Sequence, residues 1–364
     1  MFKVIRFDDT GCIWGQQYPS DPQAVRLERM RRDFVSFGNK IVLNDWCDTE
    51  YDFCIGTNGI CTENFFEEVP WYLKVTANNR VKYWWGNDCL KKLDLLDPIT
   101  GACPFVYSLP LYEKRDYNER FQFVFLPKAD GCPQVDQFIT MKTNLNSEKE
   151  KRDGFLQTLK DLKLKNPVYI CAPPDYDYWE EFFPKEMEMR LFCLGFNRYD
   201  PQWNDTLINV FNHASELYFH MISTPSVYAS YLGKRVSFYN TDLLYLNTSD
   251  TASVYTLDKT KKPQIYHEFM DYITDVFSRK TSDMGFWITE FLSLRLVKNP
   301  TELARDLSTL DSRGGRITRG IPKLHQLQFD DDRQSHTLYE RLRSKIEEFN
   351  TAPSDIAYDY FTKL

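Results

Sequence analysis

The chain has 364 residues, 42% of them apolar and 16% aromatic, with a net charge of −7. That composition excludes a disordered chain, and the length exceeds what one hydrophobic core normally serves, so two domains are expected. The negative charge excludes binding to DNA or anionic membrane through overall charge, leaving only a local basic patch for such contact, and no run of about 18 apolar residues offers a membrane span.

The opening MFKVIRFDD reads as a strand, not as the apolar core of a signal peptide, and the expectation is a cytoplasmic protein with no membrane partner. Strand KVIRF (3–7) is followed by a helix over 21–38, capped by Asp21, with Pro22 in its first turn and Gly38 at its end. KIVLND (40–45) reads as a second strand and YDFCIGTNG (51–59) as a third. A short helix capped by Thr62 comes next, then strand VKYWWGND (81–88) and a further strand in PFVYSLP (104–110). The charged stretch LYEKRDYNER breaks this rhythm, which places an N-terminal α/β domain at 1–116.

The pattern then restarts. Strand FQFVFLP (121–127), a helix over 147–162 capped by Ser147, strand NPVYICAPP (166–174), a helical DYDYWEEFF and strand RLFCLGF (190–196) follow in order. Next come a helix over 200–214, strand ELYFHMI (216–222), helix STPSVYASYLG (223–233) and strand KRVSFYN (234–240). Helices are expected at 261–280 and 300–310, a basic Gly-containing loop at 312–323, and a closing helix at 336–350. Strands alternating with helices predict an α/β fold with two doubly wound sheets, the second domain spanning 117–335 and a closing helix and tail 336–364. Nine cysteines, with no Cys-x-x-Cys pair, read as reduced thiols, several of them inside apolar runs.

Four features carry candidate chemistry. In ELYFHMISTPSVYASYLGKRVSFYN a helix starts just beyond a strand, so its first N–H groups and the positive end of its dipole face outward. Such an end binds phosphate, with Ser223, Thr224 and Ser226 adding hydroxyls and Lys234 adding charge. Arg316, with Arg313, Arg319 and Lys323 in the same loop, could clamp a diphosphate or a nucleic-acid backbone. Asp8 and Asp9 follow the first strand, where a doubly wound domain places its ligand crevice, and could grip an acceptor. Trp84 and Trp85, near Asp88, could stack on a sugar or base. The Asp175-Tyr176-Asp177 triplet makes a divalent metal possible, but no metal ligand set is assigned.

The segment STPSVYASYLGKRVSFYN resembles the donor-site strand-helix-strand of GT-B glycosyltransferases, most of all the Ser/Thr motif of bacterial sialyltransferase- and capsule-type members. The resemblance implies two Rossmann-like domains facing a cleft, with Ser223, Thr224 and Ser226 on the donor phosphates. Those sialyltransferases carry a His-Pro pair where this chain has Ala172-Pro173-Pro174, which argues against a CMP-sialic acid donor; the donor expected is a UDP-type sugar. YDFCIGTNG, a helix and then VKYWWGND are similar in order to the DNA β-glucosyltransferases of T-even phages. That resemblance implies that Asp88 is the catalytic base and that the acceptor is a hydroxymethylated pyrimidine in phage DNA, in the host cytoplasm. A surface-polysaccharide glycosyltransferase, or a non-catalytic nucleotide- or carbohydrate-binding protein, are the alternatives. In each the nucleotide sugar is a passing ligand or substrate, not a tightly held cofactor.

Overall fold

The computed structural model describes residues 37–51, 53, 55, 83–85, 99–112, 114, 120–125, 149–165, 167–171, 189–192, 203–220, 222–239, 264–310 and 332–363. Its elements in chain order are α1 (Phe37–Cys47), β1 (Tyr83–Trp84), β2 (Ile99–Thr100), α2 (Pro104–Ser108), β3 (Phe121–Phe125), α3 (Lys149–Asp161) and β4 (Val168–Cys171). They continue with β5 (Met189–Phe192), α4 (Trp203–His213), β6 (Ala214–Phe219), α5 (Thr224–Tyr231), β7 (Val236–Phe238) and α6 (Gln264–Arg279). The last are α7 (Asp283–Leu292), α8 (Pro300–Leu310), α9 (Asp332–Glu347) and α10 (Asp355–Lys363).

These elements belong to two compact units, each discontinuous in sequence. One takes in Asp116–Phe196 and Asn209–Ser278; the other takes in Arg29–Arg115, Asn197–Ile208 and Arg279–Leu364.

The first unit is built on a five-stranded, wholly parallel sheet of order β5-β4-β3-β6-β7. The chain moves outward from β3 to β4 and β5, then returns across the sheet to β6 and β7. Its direction of travel therefore reverses between β3 and β6. This is the doubly wound arrangement, and the reversal marks the place where such sheets bind ligands, outside the carboxyl ends of the two strands. One face of the sheet is nearly all aromatic. Phe125 stacks on Phe219 with ring centroids 4.4 Å apart, Phe123 meets Phe192 edge-on at 5.6 Å, and Phe211 of α4 covers Phe125 at 6.1 Å. Aromatic pairs of this kind add to their area burial, which is why a sheet of three- to six-residue strands can hold together. A bulge at Phe121/Gln122 leaves Ser215 out of register, and its hydroxyl donates to the Phe121 carbonyl at 3.0 Å.

The opposite face carries a polar group at the start of the strands. Glu216 of β6 accepts hydrogen bonds from the Tyr218 hydroxyl at 2.7 Å and the Ser237 hydroxyl at 3.0 Å, and pairs with Arg235 at 3.2 Å. Gln122 donates to the Tyr218 oxygen at 3.2 Å. With its neighbours thus engaged, Glu216 is a satisfied structural carboxylate; burial and the adjoining Glu216 charge push the Tyr218 phenol well above its ordinary range.

In the second unit the described strands are the two-residue pair β1 and β2, parallel, and the rest is helical. Lys298 ties these pieces together. Its backbone N–H donates to the Tyr107 hydroxyl at 3.0 Å, its carbonyl accepts from the Trp46 indole at 3.3 Å, and its ammonium pairs with Asp306 and reaches the Thr100 carbonyl. Asp283 holds Ser354 by both carboxylate oxygens, at 2.9 and 2.7 Å, and the Ser354 hydroxyl in turn caps α10.

Two expected strands are helices. Residues 40–45 lie in α1, and Gly38, expected to end a helix, lies inside it; residues 104–108 form α2. Both segments are buried on all sides, with Ile41, Val42, Leu43 and Trp46 at 3% exposure or less and Phe105, Val106 and Tyr107 at 0%. A short apolar run buried all round carries no periodicity to separate strand from helix. Cys103 and Cys171 are free and buried, and Cys47 is free and largely buried, as expected for these three thiols. No described helix is long and apolar enough to cross a membrane.

Candidate functional site

At the carboxyl ends of β3 and β6, where the strand order reverses, the start of α5 follows β6 and the end of β7 lies alongside. After β6 the chain runs through His220 and Ile222 into Ser223, the N-cap of α5, with extended backbone (φ −150°, ψ 166°). Pro225 falls in the first turn, where its missing N–H costs nothing and its fixed φ suits the helix. The Ser226 hydroxyl accepts the Ser223 N–H at 2.8 Å and donates to the Ser223 carbonyl at 2.7 Å. Ser226 thus closes the loop onto the helix and is itself fully buried.

Ser223 is different. Its Oγ is buried and faces the Ser226 backbone N–H in a capping-box arrangement, but makes no hydrogen bond of good geometry. A buried hydroxyl without a good partner is costly, so one at the N-terminus of a helix, at the positive end of its dipole, is a ready contact for an anion. Thr224 stands next to it, partly exposed.

The neighbouring element is the end of β7. Tyr239 is buried, and its hydroxyl reaches across the end of β6 to donate to the carbonyl of Phe125, the last residue of β3. Its backbone N–H donates to the Phe219 carbonyl at 2.9 Å. The His220 ring stands edge-on to Tyr239 with centroids 6.0 Å apart. Neither His220 nor Tyr239 is evident from sequence; the only signal was their place, one residue beyond a strand.

The donor residues expected from sequence therefore separate. Ser223 and Thr224 stand together at the start of α5. Ser226 underlies them, with its hydroxyl committed to the backbone. Lys234 is not with them. α5 ends in a Schellman motif, Gly233 N–H to the Ser230 carbonyl and Lys234 N–H to the Ala229 carbonyl, both at 2.9 Å, with Gly233 at φ +72°. Lys234 thus sits at the opposite end of the helix, roughly 12 Å away at 1.5 Å per residue. Burial, and secondarily the like charge of Arg120, hold its amine below the ordinary lysine range.

Asp88, Asp8, Asp9 and Arg316 lie outside the described residues, as do Asp175 and Asp177. Trp84 is in β1. Trp85 is 2% exposed with its indole N–H unpaired, so burial leaves neither ring face open to stack a sugar or base.

No protein-family model, curated protein or solved structure matches the chain.

Proposed function

We propose that the chain is a glycosyltransferase that binds the diphosphate of a nucleotide sugar at the start of α5, working in the two-domain GT-B manner. One observation carries this reading: the buried Ser223 hydroxyl, in capping-box position but without a hydrogen bond of good geometry, at a helix N-terminus located where the parallel sheet reverses direction. The likeness of STPSVYASYLGKRVSFYN to GT-B donor segments supplies the reaction class. In that reaction an acceptor hydroxyl oxygen attacks the anomeric carbon and the bond from that carbon to the diphosphate oxygen breaks. The diphosphate leaves with the electron pair, which the α5 N-terminus, Ser223 and Thr224 would stabilise. Asp88 takes the acceptor proton in this proposal, and a hydroxymethylated pyrimidine of DNA is the acceptor; both rest on the resemblance of the segment around residues 51–88 to the phage enzymes.

The test is a thermal-shift panel of UDP-, GDP- and CMP-sugars, followed by transfer of radiolabel from the stabilising donor to hydroxymethylated DNA or to oligosaccharides. A UDP sugar is expected to raise the melting temperature and to label DNA, and Asp88→Asn to abolish labelling while leaving the shift. Absence of any shift across the panel removes the donor reading. Label in oligosaccharide alone moves the acceptor to a surface polysaccharide.

A further inference from the structure

The amino-terminal edge of the sheet differs in character from the edge that holds the donor site. Arg120 directly precedes β3. Lys163 and Lys165 precede β4, and the Lys165 backbone N–H donates to the side-chain oxygen of Gln122 in β3, which ties the two segments together. Lys234 and Arg235 precede β7. Since β4, β3, β6 and β7 are parallel neighbours in that order, these cations stand in a row along one edge. At about 4.8 Å between strands the row is roughly 15 Å long.

Arg120, Lys163, Lys165 and Arg235 are exposed, and Lys234 is partly so. Arg235 pairs with Glu216, yet its side chain remains 74% exposed. Among the described residues no carboxylate pairs with Arg120, Lys163, Lys165 or Lys234, and the nearby Asp161 is bonded by Gln157. Arg120 lies near enough to Lys234 for its like charge to add to burial in lowering that amine's pKa. In a chain of net charge −7, such crowding runs against the overall field.

We propose that this edge is a docking surface for the phosphate backbone of DNA. A strand of nucleic acid supplies charge in a line, as the row does. Around the row the described residues that reach solvent include the polar Asn212, Ser215 and Ser237 and the partly exposed Leu162, Leu164, Pro167 and Leu232, none of them aromatic, whereas seating in a bilayer favours aromatic anchors. The surface shares its DNA partner with the proposed function but uses no residue of the donor site. β6 is six residues long, so the two edges lie roughly 20 Å apart, and phosphates held at one leave the other open.

The experiment is fluorescence anisotropy with a labelled duplex of about 24 base pairs, without nucleotide, from 50 to 200 mM KCl. Release of counterions from about four phosphates gives a slope of log K against log salt near −3.6, a loss of about 10²-fold across that range. Arg120→Glu/Lys163→Glu/Lys165→Glu is expected to weaken binding at least about 30-fold at 100 mM salt and to flatten the slope by about 2–3. Lys280→Glu/Arg305→Glu/Arg343→Glu, the same charge change on exposed residues of the other unit, is expected to change it less than about threefold. Circular dichroism melts confirm folding, and the single variants Arg120→Glu and Lys165→Glu replace the triple one if it melts early.

No binding by the parent chain at 50 mM salt overturns the proposal, as does equal loss in the two triple variants. Tighter binding to phosphatidylserine vesicles than to DNA, lost in the same variant, assigns the edge to a membrane instead. Calorimetric UDP binding, unchanged by the edge variant, keeps the outcome for this surface separate from the outcome for the donor site.

Discussion

Ser223 and Ser226 are three residues apart in one helix start, yet their removal should have opposite consequences. The Ser226 hydroxyl makes both of its bonds to the Ser223 backbone, at 2.8 and 2.7 Å, in a fully buried position. Ser226→Ala leaves a buried N–H without its acceptor and loosens the cap, a cost of about 1–2 kcal/mol. The Ser223 Oγ faces the Ser226 N–H in a capping box but makes no hydrogen bond of good geometry, so Ser223→Ala removes a weak cap together with a poorly compensated buried polar atom. Stability should stay level or rise by up to about 1 kcal/mol. With a nucleotide bound the order reverses. If Ser223 donates to a phosphate oxygen, its loss removes a hydrogen bond to a charged group, about 1.5–3 kcal/mol, or roughly 10- to 150-fold in affinity. Ser226→Ala should weaken the nucleotide no more than about threefold, through the looser loop alone. Urea unfolding of both variants, paired with calorimetric titration of UDP, reads the two effects independently. The reasoning fails if Ser223→Ala destabilises the free protein by 1 kcal/mol or more, because its hydroxyl is then paired. It fails equally if both variants lose UDP affinity to the same extent.

Two further outcomes test the packing of each unit by itself. A Cβ on Gly101 would stand 2.1 Å from the Tyr83 hydroxyl and 2.6 Å from its ring, while Tyr83 is fully buried and bonded to the Ala102 carbonyl at 2.8 Å. Gly101→Ala should therefore cost about 2–3 kcal/mol in urea unfolding, with Tyr83→Leu restoring part of it in the double variant; a neutral Gly101→Ala would show that Tyr83 is not where it is described. For Lys234, a folded-state pKa below the unfolded value means that the unfolded chain binds more protons in the window between the two. Unfolding free energy should accordingly rise with pH as Lys234 loses its proton below the ordinary lysine range, and Lys234→Gln should flatten that rise, whereas an identical slope in the variant would count against the shift.

How legible the molecule is from its sequence depended on what each segment packs against. The described strands and helices from 121 to 239 were readable because each strand is short and helices stand between β3 and β4, β5 and β6, and β6 and β7; the helix expected between β4 and β5 lies outside the described residues. The order of the strands was not, since register and neighbours are set by contacts such as Phe125 on Phe219, 94 positions apart in a chain of many phenylalanines. Residues 40–45 and 104–108 misled because total burial erases the alternation that separates strand from helix. The candidate site shows the same division. Ser223 and Thr224 were found because a helix start after a strand is a local feature. Lys234 was grouped with them because it is close in sequence, although an intervening helix carries it to the far edge of the sheet. That error is informative. Without Lys234 the proposed donor site has no cation among the described residues, and in this proposal its grip on a diphosphate comes from the α5 dipole and the Ser223 and Thr224 hydroxyls, each sensitive to geometry and little affected by salt. The cations stand instead where a phosphate backbone would meet them, in an arrangement sensitive to salt and tolerant of geometry. Salt dependence thus separates the two edges of one sheet: raising KCl from 50 to 200 mM should release DNA while leaving UDP affinity nearly constant, and a parallel loss of both would mean that they share a site.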